Sequence, residues 1–228
     1  MKLSELVYRC VKNTVHYDDR GFTYTNFIKG LYNDSPDYAT NINNVYFPLN
    51  EAIARLSDTE KIPYRVEEVS VDDEGIVLLS NLSKQCKEVI DVAYGNKKIA
   101  SSRYGINAII INEKLPTSLL FNTNRKVQVE YKEDIPYFDE SSYNYEIDED
   151  TDLIDEENSF DVDLQEHGIT NGMCNYIIEY TSGRLMENYD PQLSNMHITR
   201  AEQYFANLRT ASQAFQQKVV HKEVSIED

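Results

Sequence analysis

Tryptophan is absent, and glycine occurs eight times and cysteine three times in 228 residues. Each scarcity narrows what the chain can do. Cys10, Cys86 and Cys174 are far apart and form no CxxC pair, so they make neither a disulfide framework nor a zinc site and read as small apolar residues. The histidines, His16, His167, His197 and His221, share no close spacing. With no HExxH or HxH, a transition-metal site has little support. So few glycines leave little backbone to cradle phosphate, and neither a Walker A loop nor GxGxxG occurs. No G-x-S-x-G elbow is present for a serine nucleophile. Apolar runs of 18 residues are missing, and Met1-Lys2-Leu3-Ser4-Glu5 has no apolar signal core. The expectation is a non-enzymatic protein without cofactor or metal, made in the cytoplasm and not membrane-bound.

What is abundant is tyrosine, 17 residues, suited to half-buried contacts between subunits. Acid is concentrated in one place. Between Glu133 and Glu166 there are fifteen Asp or Glu and no Lys or Arg, which accounts for most of the net charge of −17. The rest of the chain holds 24 acidic against 22 basic groups. A nearly neutral folded protein therefore carries one acidic insert, and it presents no basic footprint for nucleic acid.

Periodicity divides the chain. Leu3, Leu6, Val7, Cys10 and Thr14 share a helical stripe, and residues 17–33 read as irregular. Ser35-Pro36 fits a helix start. Tyr38, Ile42, Val45, Leu49, Ile53 and Leu56 continue one face, which Pro48 should kink. The period then becomes two, predicting strands over 64–71, 75–79, 87–94, 106–111 and 126–131 in a small antiparallel sheet. Helical spacing returns from Gly168 to Asn188. After Asn188-Tyr189-Asp190-Pro191 a second helix is predicted to Gln217, with Leu193, Met196, Tyr204, Phe205, Leu208, Ala211 and Phe215 at three- and four-residue steps and Phe205 buried, and so short a connection sets the pair antiparallel. In Thr181-Ser182-Gly183-Arg184 the small residues favour close helix packing over catalysis. The fold class is α+β. Residues 1–63 and 167–217 form a helical bundle, 64–132 an inserted β-rich subdomain, 133–166 an acidic insert and 218–228 an extended tail.

The acidic insert carries part of a calcium-loop pattern. Asp148, Asp150 and Asp152 match positions one, three and five of an EF-hand loop, but Leu153 replaces the turn glycine at six and Ser159 the closing glutamate at twelve. A solvated loop carrying Asp148, Glu149, Asp150, Asp152, Asp155, Glu156 and Glu157 is the plainer expectation, mobile and dispensable for folding. Contacts between subunits or within the helical core are assigned to Tyr176, Tyr180, Tyr204, Phe205 and Leu208. The tail residues Val219, Val220, Val224 and Ile226 alternate weakly, as a strand added to another chain would.

The order of parts resembles the head–tail connector (adaptor or neck ring) proteins of tailed phages. Three stretches carry the likeness: His167-Gly168-Ile169 through Tyr176-Ile177-Ile178-Glu179-Tyr180, Ala201-Glu202-Gln203-Tyr204-Phe205-Ala206-Asn207-Leu208, and Val127-Gln128-Val129-Glu130-Tyr131 with Pro136. The Asn/Tyr/Ile/Lys flavour is similar to ring proteins of crAss-like phages. The resemblance implies a virion protein of the phage neck, a homo-oligomer of about a dozen copies in a closed ring. It would contact the portal and other neck or tail proteins, with the tail reaching the portal. DNA would pass through without specific binding, which suits acidic or neutral channel walls. The long acidic insert departs from the family pattern. Two other classes compete: an acidic DNA mimic that inhibits a nucleic-acid enzyme, and another non-enzymatic virion protein of tail or cargo type. A mimic needs acids spaced along a rigid surface, and a floppy loop counts against it.

Overall fold

The computed structural model describes residues 1–14, 22–31, 41–95, 97–112, 125–148 and 153–210. The fold is α+β, with helices and antiparallel sheets. It divides into two compact units, Met1–Ile62 with Tyr137–Asp228, and Pro63–Pro136. The second unit interrupts the first.

In the first unit α1 (Leu3–Asn13) buries Leu3, Leu6, Val7 and Cys10, with Thr14 just beyond it, the stripe its spacing predicts, and adds Val11. A short α2 (Tyr24–Ile28), capped by Thr23, lies where the sequence read as irregular. Tyr8, Phe22, Tyr24 and Phe27 cluster between them with ring centroids 5.2–6.2 Å apart. The predicted start at Ser35-Pro36 lies outside the described residues. Residues 41–44 are helical, the chain bends at Val45, and α3 runs Tyr46–Asp58. Pro48 thus sits in the first turn of α3, where its missing N–H leaves no bond unmade. The break falls before the proline, at Val45.

α4 (Asn171–Met186) starts at the Thr170 cap and is the centre of this unit. It touches α1, α3 and α5 (Pro191–Asn207). Buried positions from Met173 to Met186 lie on most of its faces, as befits a helix enclosed by neighbours. Asp190 caps α5 by accepting from the Gln192 and Leu193 N–H groups, with Pro191 at the first position. α5 ends at Asn207, short of the predicted Gln217. Leu208 is already extended, and residues 211–217 lie outside the described set.

The acidic segment is not a loop. Asp139 caps a 3₁₀ turn at Glu140–Ser142, and β8 (Tyr143–Ile147) pairs antiparallel with β9 (Ile154–Asp161). The hairpin belongs to the helical unit, whose boundary falls at Tyr137. Asn50 of α3 pins the return of the chain: its amide accepts from the Phe138 N–H at 2.9 Å and donates to the Phe138 carbonyl at 2.7 Å.

Among the described residues the inserted unit contains two sheets, where one was expected. β1 (Arg65–Ser70), β7 (Lys126–Glu133), β3 (Cys86–Tyr94) and β4 (Lys97–Lys98) form one, in the order β1-β7-β3-β4. β2 (Ile76–Leu78), β6 (Ala108–Ile111) and β5 (Ser101–Arg103) form the other, in the order β2-β6-β5. Alternation in β7 turns Val127, Val129 and Tyr131 into a core with Val69, Val77, Val92 and Ile109.

Candidate functional site

The helix hairpin holds most of the assigned contact residues. Its antiparallel register shows in side-chain pairs that advance along α4 as they retreat along α5. The Ser194 hydroxyl donates to the Gly183 carbonyl at 2.8 Å, His197 Nδ1 pairs with Glu179 Oε2 at 2.7 Å, and the Tyr176 and Phe205 rings stand 5.1 Å apart. The pair is close because Gly183 has no side chain: a Cβ there would lie 2.8 Å from Ile198 Cγ1 and Cδ1. His197 is a buried structural partner of Glu179.

The five assigned residues separate by depth. Tyr176 is wholly buried, and burial pushes its phenol up to about 12. Tyr180 and Leu208 are half-buried, and Tyr204 is 41% exposed. Phe205 is half-buried, not a core aromatic. Its ring is held from α3 by the Arg55 guanidinium at 4.4 Å and from the following turn by Lys61 Nζ at 5.2 Å. Arg55 also reaches the Glu202 carboxylate through two nitrogens, at 2.6 and 2.9 Å, and Lys61 donates to the Leu208 carbonyl at 2.5 Å. Both cations therefore fasten the end of α5, Lys61 at the carbonyls of its negative pole. Sequence spacing missed both, since neither is near α5 in the chain.

Of the acidic residues, Asp148, Glu156 and Glu157 are exposed on the hairpin and Asp155 is half-buried, accepting from Glu157 and Asn158. Glu149, Asp150 and Asp152 lie outside the described residues. The more consequential carboxylate is Asp161, at the end of β9. It accepts from the Ser4 hydroxyl at 2.6 Å, the Tyr145 phenol at 2.7 Å and the Ser4 N–H at 3.3 Å. The Tyr24 and Ser4 hydroxyls lie 2.6 Å apart. α1 lacks a cap from its own sequence, so the hairpin supplies one: the Val162 carbonyl receives the Leu3 N–H, and Asp161 places negative charge at the positive helix end. Burial, then the hydrogen bonds with Tyr24 and Asp161, holds the Tyr145 phenol above its ordinary value. The groups satisfy one another, forming a joint between hairpin and helix. The signal for it was present in Tyr143, Tyr145 and Ile147, a strand alternation hidden among carboxylates.

Among the described residues no group of three or more His, Cys, Asp or Glu is placed to hold a metal ion, and no helix is long and apolar enough to cross a membrane. Cys10 and Cys174 are buried, which raises both thiols, Cys174 to about 11; Cys86 is half-buried. The tail residues Val219, Val220, Val224 and Ile226 lie outside the described set. No family model matches the chain, and no curated protein matches it in sequence.

Proposed function

We propose that this chain is a non-catalytic ring subunit of a phage neck, seated between the portal and the tail, with the helical unit making the ring. The observation that carries the reading is the one-sided packing of α5. Along 17 residues it buries only Ser194, His197 and Ala201 and leaves Met196 and Tyr204 in water. A closed ring needs two complementary faces on every subunit, and a helix with an uncommitted side is material for one of them. The helical unit interrupted by a strand-rich unit agrees with the connector resemblance. The C-terminal tail serves contacts outside the subunit, the portal among them, and DNA passes through the ring without specific binding. The test is imaging of purified virions and of the chain mixed with its portal. A ring with the portal's copy number beside the DNA channel is expected, and removal of residues 219–228 should weaken docking while the subunit stays folded. Absence from virions would overturn the proposal.

The hairpin favours a second reading. Glu146, Glu156 and Glu157 stand exposed on paired strands, and such spaced, fixed carboxylates are what an acidic DNA mimic requires. Recovery of the chain bound to a DNA-binding enzyme, released by competing duplex, would select it over the ring.

A further inference from the structure

The two sheets of the inserted unit share one bent strand. β4 lies against β3 with Ala93 opposite Lys98, and the Ile99 N–H donates to the Val92 carbonyl at 2.8 Å, extending that register by one residue. The chain then leaves β3, and β5 pairs with β6 instead, Ser101 opposite Ile111 and Arg103 opposite Ile109. Continued pairing would have set Ile90, Val89 and Glu88 against Ser101, Ser102 and Arg103. These segments instead form the walls of a cleft of about 420 Å³.

The register fixes where the backbone points. The Tyr104 N–H donates to the Ala108 carbonyl and the Asn112 N–H to the Ala100 carbonyl, so residues 100, 102 and 104 turn their main-chain groups to β6. Ser101 and Arg103 consequently aim theirs at the cleft, where among the described residues no strand pairs with β5. On the far wall Asp91 Oδ1 takes the Val92 N–H at 2.9 Å and is itself paired with Lys98, which stops the zipper. The floor is apolar: Ile99 and Ile109 are buried, and Leu79 and Val89 pack beside them. Unpaired main-chain groups above an apolar floor are the requirements for strand addition.

We propose that this cleft binds an extended peptide strand, and that the occupant is residues 223–227 of a second copy of this chain. Register leaves three cleft residues on each wall. In Glu223-Val224-Ser225-Ile226-Glu227 two apolar side chains alternate toward one face, with acids on either side. Val224 and Ile226 suit the floor, while Glu223 and Glu227 suit Lys87 and Arg103 on the rim. Of the rim acids, Asp91 is neutralised by Lys98, and Glu88 remains as the unfavourable charge. Eighteen residues follow Thr210, and at about 3.3 Å each they reach roughly 60 Å when extended. The presence of a second copy rests on the ring reading, and the proposal leaves Val219 and Val220 for the portal.

Cys86 borders the cleft and is the one cysteine not buried, which provides the test. Full-length Val224→Cys protein, prepared with and without ¹⁵N and mixed, is oxidised mildly at several concentrations and its cross-links are mapped by mass. A disulfide from position 224 to Cys86 joining chains of different isotope is expected. Ile226→Asp in the same background should reduce its yield at least tenfold, and it leaves the cleft untouched. Arg103→Pro, which deletes an N–H facing the cleft, should do likewise if its melting curve shows a folded protein. Absence of the cross-link, linkage only within one chain, or a yield unchanged by Ile226→Asp would overturn the proposal. No portal is used, so failure of the chain to join a portal would remove the neck assignment and leave this result standing.

Discussion

Single residues set how closely the helix hairpin closes. At Gly183 an added methyl gains up to about 1 kcal/mol of helix propensity, but it meets Ile198 at 2.8 Å, and overpacking of that kind costs about 1–3 kcal/mol. Gly183→Ala is therefore expected to lower stability by about 1 kcal/mol in urea melts, and Ile198→Ala in the same chain to cost less than it does alone. Phe205 illustrates the opposite case. Its ring keeps one side in water, so Phe205→Ala should cost about 2–3 kcal/mol, below the 3–5 typical of an enclosed aromatic. A double-mutant cycle with Arg55→Ala should show coupling of about 0.5–1 kcal/mol from the guanidinium over the ring. The hydrogen bonds from Arg55 hold the Glu202 carboxyl below its ordinary value of 4.5. A depressed carboxyl contributes stability above its unfolded value and loses it as pH falls through the folded one. The acid limb of a stability profile should accordingly flatten slightly in Glu202→Gln, beginning below about pH 4.5.

At the scale of elements, the hairpin β8–β9 reverses an expectation. Asp161 receives two hydroxyls and the Ser4 N–H, so Asp161→Ala strands those donors and uncaps α1, at an expected cost of about 2–3 kcal/mol. Glu157→Gln, on the exposed side of the same hairpin, should stay within about 0.5 kcal/mol. Thermal melts of the two variants provide the check, and equal shifts would mean that the hairpin is not a structural part of the helical unit. The sequence disclosed this unevenly. Helix stripes in α1 and α4 and the alternation in β1, β3 and β7 were legible because burial writes a period into the residues, but on α5 the apolar positions Met196 and Tyr204 are exposed and Ser194, His197 and Ala201 are buried instead. Asp190-Pro191 announced the start of α5 through its cap chemistry. The hairpin was hidden because its strands pack through tyrosine hydroxyls and one carboxylate instead of an apolar stripe. Arg55 and Lys61 were hidden for another reason: they act on α5 across about 147 residues of chain, a distance that no local pattern encodes. Nor could spacing tell that Phe205 would be only half-buried, since that depends on what covers the outer side of α5.

For the whole molecule, the division into two units gives a direct prediction. The inserted unit has a core of its own, from Val69 to Tyr131, and is bounded by prolines at Pro63 and Pro136. Expressed alone, that fragment should unfold cooperatively, by circular dichroism and by calorimetry, and it should keep dispersed amide resonances. A non-cooperative fragment would mean that the boundary is misplaced. The way the insert begins and ends matters for more than stability. Its first strand lies beside its last: Arg65 stands opposite Tyr131, and the Arg65 guanidinium pairs with the buried Glu133. α1 and α3 must find α4 across the 74 residues of that unit, and closing an unstructured loop of this length costs about 4 kcal/mol in chain entropy. Once β1 and β7 have paired, the two ends stand about one strand spacing apart, about 4.8 Å, and most of that search is over before the helices meet. The insert then acts as a folding clamp: a ribosome-fresh chain would assemble its middle first, and damage to the β1–β7 pair would slow the helices without touching any residue they contain.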